Sequence, residues 1–167
     1  MVAVVAVVVV TRVVARSSPD SPVADVSGAT TAASGTLSLL HVDAPDPDPS
    51  ADQPCTALFS KLPVQLEGDD PRQVQSQSPY VRAWGDPPVV LVCGVAKPAG
   101  FTATTQLIQI NDVQWYVDTS SKDTTVWTAV DRPVYVQVRV PATADSSSVT
   151  DLTVPVSQSL PAQAPRP

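Results

Sequence analysis

The sequence predicts an α+β domain: a small, mainly antiparallel sheet with one short helix packed on it and one disulfide joining the two. Three observations carry this. Val89-Val90-Leu91-Val92-Cys93-Gly94-Val95 is a continuous apolar run rich in β-branched residues, the pattern of a strand buried on both faces. Residues 134–140 set Val134, Val136, Val138 and Val140 against Tyr135, Gln137 and Arg139, a period of two. Cys55, Leu58, Phe59 and Leu62 recur at the spacing of one helix face.

Taken from the N-terminus, residues 1–16 form a hydrophobic leader. The Val/Ala run of residues 1–10 falls short of the roughly 20 apolar residues of a membrane span and has the length of a signal-peptide core. Arg12 and Arg16 follow the run, whereas an exported chain carries its basic residues before it. The first expectation is therefore the remnant of a signal or anchor that starts upstream. An atypical signal sequence and a leader without function are the alternatives. Residues 17–54 read as a linker rich in Pro, Asp, Ser and Ala, with no Lys or Arg between Arg16 and Lys61. Such a composition buries too little apolar surface to offset its ordering entropy. Residues 44–49 alternate Pro and Asp, which favours an extended polyproline conformation. Residues 37–42 are the apolar exception, fit for an edge strand or for plain linker.

The domain itself is expected over residues 55–160. The helix of residues 55–62 ends at Pro63, which cannot continue it. Leu66-Glu67-Gly68-Asp69-Asp70-Pro71 is a turn, and residues 73–76 suit a short strand. Beyond the 89–95 strand, residues 107–110 and 113–117 flank Asn111-Asp112, a two-residue hairpin turn. Strands at 125–130 and 134–140 complete the sheet. Residues 143–150 read as polar loop. Residues 152–160 are ambiguous, because Pro155 argues against a full helix, and residues 161–167 are a disordered tail.

The charge balance excludes one class of partner. A net charge of −6, without a basic patch, gives nothing to neutralise nucleic-acid phosphates. Two cysteines, Cys55 and Cys93, pair most simply in an exported chain, with two reduced buried thiols as the alternative. A cysteine nucleophile needs a base, and the one histidine, His41, lies in the linker segment. Neither a triad nor a zinc site assembles from that single histidine. The acidic run Asp43, Asp46, Asp48 and Asp52 is stiffened by prolines and does not wrap an ion. No metal or cofactor is expected. In the turn before the long strand, Trp84 reads as a core or rim aromatic, Gly85 as a positive-φ turn position and Asp86 as a turn carboxylate bonding backbone amides. Asp131 is expected to pair with Arg132 or Arg82 and pin the start of a strand. Asp86 and Arg132 carry a second reading, as ligand-contacting groups.

The residues Ala83-Trp84-Gly85-Asp86-Pro87-Pro88-Val89-Val90-Leu91-Val92-Cys93-Gly94-Val95, with Cys55, Leu58 and Leu62-Pro63 before them, resemble domain-of-unknown-function family 3515 of actinobacteria. Asn111-Asp112-Val113-Gln114-Trp115 and Asp131-Arg132-Pro133-Val134-Tyr135-Val136-Gln137-Val138, with Pro141, extend the resemblance over residues 55–141. It implies a secreted or membrane-anchored envelope protein with an extracytoplasmic domain, and it implies no activity. Val92 stands where the family commonly carries an arginine.

The expectation is thus a non-catalytic extracytoplasmic envelope module that binds a protein or cell-wall ligand and touches the membrane only through its N-terminal anchor. An envelope enzyme working through Asp86 and Asp131, and a cytoplasmic protein, are the alternatives. The first of these requires both carboxylates in one cleft, within about 10 Å of each other.

Overall fold

The computed structural model describes residues 37–44 and 46–167. The expected leader, residues 17–36 of the expected linker, and Pro45 lie outside them. The elements run β1 (Leu40–His41), a 3₁₀ turn (Pro49–Ala51), α1 (Asp52–Phe59), β2 (Val74–Gln75), β3 (Val81–Trp84), β4 (Val89–Val95), β5 (Ile108–Ile110), β6 (Val113–Asp118), β7 (Thr124–Ala129), β8 (Tyr135–Pro141) and α2 (Ser147–Ser159). The fold is α+β. A six-stranded antiparallel sheet runs β3-β4-β8-β7-β6-β5, and β1 and β2 form a separate two-stranded parallel pair.

Both faces of β4 are buried, for two different reasons. Val89, Leu91 and Cys93 face the main core with Cys55 and Leu58 of α1 and with Val149, Leu152 and Val156 of α2. Val90 and Val92 face a smaller core closed by Val42 and Ala44. On β8 the period of two is realised: Val136, Val138 and Val140 are buried beneath the helices, and Tyr135, Gln137 and Arg139 point to the other face. Both helices therefore cover one face, while the segment of residues 40–44 straps the β3–β4 part of the opposite face.

Four expectations change. First, the ordered fold reaches upstream of Cys55. Asp48 accepts the Ser50 amide at 2.8 Å and starts the 3₁₀ turn, so α1 begins at Asp52. The strap is held by Leu40 N to Gln73 O and Val42 N to Gln75 O, both 3.0 Å. Second, Val81–Trp84 is a strand paired along its length with β4, from Val81↔Val92 to Trp84↔Val89. Third, the segment expected as polar loop and ambiguous stretch is α2, with Pro155 inside it. Val149, Leu152, Val156 and Leu160 are all at most 1% exposed, so core burial outweighs the missing proline amide. Fourth, the tail is docked: Gln163 donates to the Asp131 carbonyl at 2.8 Å, and the Tyr135 hydroxyl donates to the Arg166 carbonyl at 2.8 Å.

Turn chemistry follows the sequence more closely. Glu67 and Gly68 both take positive φ (52° and 91°) in the turn closed by the Leu66–Asp69 bridge. Asn111 takes φ 52° in the two-residue loop between Ile110 and Val113.

Candidate functional site

Cys55 Sγ and Cys93 Sγ lie at disulfide distance, 2.11 Å, with Cα atoms 5.7 Å apart. Both residues are at most 1% exposed. The pair ties the second turn of α1 to β4 just before a bulge, where the register with β8 shifts between Cys93 and Val95. Gly94 occupies the bulge at φ +82°, and a Cβ there would lie 2.8 Å from Pro47 Cβ and 3.1 Å from Ala51 Cβ. The close approach of the 3₁₀ turn to β4 thus depends on the absence of a side chain.

The motif around Trp84 resolves residue by residue. Trp84 is fully buried, and its Nε1–H donates to the Val64 carbonyl at 3.2 Å. Gly85 takes φ +74°, and a Cβ there would lie 2.5 Å from Asp69 Oδ2. Asp86 does not act through the expected amide-bonding turn. Its carboxylate instead meets Arg72 at 3.3 Å on the surface, and the Asp86–Pro87 peptide bond is cis. Of these three residues only Asp86 is exposed.

Asp131 pairs with Arg132 at 3.5 Å. Arg82 instead extends over the Phe59 ring, 6.0 Å from its centroid. The Arg132 side chain is 0% exposed, so a role in contacting ligand is replaced by one inside the fold. Its Nη2 donates to both the carbonyl and Oδ2 of Asp112 at 3.0 and 3.1 Å, and its Nη1 donates to the Asp131 carbonyl at 3.3 Å. Asp131 Oδ2 also accepts the Gln114 amide at 3.0 Å. The cluster therefore clamps the β7–β8 turn to the β5–β6 turn. Burial pushes the Asp131 carboxyl above its ordinary range, against the pull of Arg132 and the Gln114 amide. The Ser157 hydroxyl first, and Arg132 after it, hold the Asp112 carboxyl below. Arg166 closes the cluster from the tail through the Arg132 and Pro133 carbonyls at 3.4 and 2.9 Å.

Asp86 and Asp131 do not share a cleft. Asp86 lies in the turn leading into Val89, the end of β4 nearest Arg139 and Pro141. Asp131 precedes Tyr135, which pairs with Val95 at the opposite end of β4. A seven-residue strand separates them, a span of roughly 20 Å. At that separation the two carboxylates do not form the pair within about 10 Å that the carboxylate alternative requires.

Sequence reasoning missed Arg72, Asp112, Arg139 and Arg166. Asp112 was visible only as a turn residue, and nothing local marked it as the partner of an arginine twenty positions away. Arg139 was visible as the outward phase of the β8 alternation. It emerges from the helix-free face, half-buried, donating to Gln137 Oε1 at 2.8 Å and to the Asp43 carbonyl at 3.4 Å. Asp43, which accepts from Arg139, also lines a cleft of about 330 Å³ with His41, Gln75, Ser76 and Gln77.

Among the described residues no helix is long and apolar enough to cross a membrane. No curated protein and no solved structure matches the chain. The family described as "Protein of unknown function (DUF3515)" matches residues 1–165, well beyond the stretch over which the motif residues suggested it. The buried cysteine pair, the Trp84 turn and the Asp131–Arg132 clamp are thus parts of one matched unit, and the chain belongs to the DUF3515 family.

Proposed function

We propose that this chain is a non-catalytic extracytoplasmic module of the cell envelope, which binds a protein or cell-wall ligand and is held near the membrane by its N-terminal segment. The observation that carries the reading is the Cys55–Cys93 pair. Two fully buried sulfurs at bonding distance join separate elements, as expected where oxidation persists. The residues singled out as chemically capable support the non-catalytic part. Trp84, Gly85, Asp131 and Arg132 are consumed by packing, turns and a buried ion pair, and Asp86 stands apart from Asp131.

The test is protease accessibility in the native host. Cells stripped of their wall and exposed to external protease lose the intact chain if the module faces outward. Protection equal to that of a cytoplasmic marker, relieved only by lysis, contradicts the reading.

A further inference from the structure

Among the described residues the sheet carries two helices on one face, and on the other the strap near β3–β4 and the loop bearing Phe101. Phe101 is 2% exposed and stands 6.1 Å, centroid to centroid, from Tyr116. Between them lie the outward residues of β8, β7 and β6. The register sets Gln137 beside Thr128 and Thr128 beside Tyr116, with Arg139 beside Val126 in the next row. Thr128 is buried, and its Oγ1 has no hydrogen-bond partner among the described residues.

Arg139 is the unusual group here. The other arginines held in the body of the fold each carry a carboxylate: Arg72 has Asp86, and Arg132 has Asp131 and Asp112. Arg139 is bonded only to neutral oxygens, and among the described residues no carboxylate reaches ion-pair distance from it. Burial draws its proton affinity down, and the Asp43 charge offsets this only in part. A partly desolvated guanidinium with unfilled donors is a seat for an oxyanion. The cleft shares Asp43 with Arg139 and is lined by further donor residues, Gln75, Gln77 and His41.

We propose that this face is an oxyanion-binding site, in which Arg139 takes a carboxylate or phosphate group of the ligand and the strap cleft holds the atoms next to it. The proposal rests on the binding-module reading above. Asp43 is its internal opponent, the acid on the rim that an incoming anion must approach.

The test is an NMR titration of the full-length oxidised chain, labelled with ¹⁵N, using inorganic phosphate in one series and acetate in another, and following the Arg139 Nε–Hε signal. A saturable shift in either series is expected. Phosphate alone indicates a phosphate ester, and acetate alone a carboxylate. Arg139→Gln is expected to weaken binding about tenfold or more, and Asp43→Asn to strengthen it, in keeping with the worth of a charge-assisted hydrogen bond. No saturable shift in either series overturns the site, as does equal affinity in a folded Arg139→Gln variant. The wild-type signal decides the matter if that variant does not fold. Because export is read by protease accessibility, a silent titration removes the anion site alone, and anion binding by a protease-protected chain removes the envelope reading alone.

Discussion

Gly94 and Arg132 show how single positions hold this fold. At φ +82° Gly94 lets β4 bulge toward the 3₁₀ turn, with no room for a methyl group beside Pro47. Gly94→Ala is expected to cost about 2 kcal/mol or more, from the left-handed backbone and the clash together. Urea unfolding measures it, and a loss below about 0.5 kcal/mol contradicts the close approach. Arg132 is a fully buried cation shared by a buried and an exposed carboxylate (side chains 3% and 58% exposed). Removing it strands the Asp131 charge in the interior. Arg132→Ala is therefore expected to lose about 3–5 kcal/mol. Asp112→Ala removes a solvent-screened partner and is expected to lose about 1 kcal/mol or less. Equal losses in the two variants would show that burial does not set the strength of the clamp.

At the scale of elements, legibility in the sequence tracks how far local pattern and tertiary burial agree. β4 and β8 were legible because an apolar run and a strict alternation each match their surroundings. The Asn111-Asp112 hairpin was legible from its turn residues. β3 was not: Val-Arg-Ala-Trp is four residues long, and its pairing with β4 supplies what its composition lacks. α2 was obscured by Pro155 and by the Ser/Thr content of its first turns. Asp145 accepts the Ser147 amide at 2.7 Å, and the Thr153 hydroxyl bonds back to the Val149 carbonyl at 2.7 Å. What holds α2 is its buried stripe. Leu152→Ala is accordingly expected to cost about 2–5 kcal/mol, read from chemical denaturation, with a value below about 1 kcal/mol arguing that α2 is not part of the core. Of the candidate site, the cysteines were legible as a pair, and Asp131 as a partner of either Arg132 or Arg82 at the start of a strand. Asp112 and Arg139 were not, because their roles arise from contacts between segments far apart in sequence.

Among the described residues the sheet is covered asymmetrically, by two helices on one face and by a strap and a loop on the other. Its acid response follows from the carboxylates. Asp48, Asp112, Asp118 and Asp145 are held below their ordinary values, with serine hydrogen bonds the first cause in each. A carboxyl depressed by folding stabilises the native state above its unfolded pKa, and that stability is lost as pH falls through the folded value. Asp131 is raised, so its contribution runs the other way and is lost as pH rises. With four groups against one, thermal stability is expected to fall on acidification from about pH 5 to about pH 3. A melting temperature that rises over that interval contradicts the assignment. For the molecule as an envelope module, the deciding measurement is the intact mass of the protein isolated from the host's envelope fraction without reductant and with free thiols blocked. The account predicts a chain that gains two hydrogens in mass on reduction and carries no thiol label on Cys55 or Cys93 before it. A chain labelled on both cysteines and recovered from the cytoplasm would contradict it.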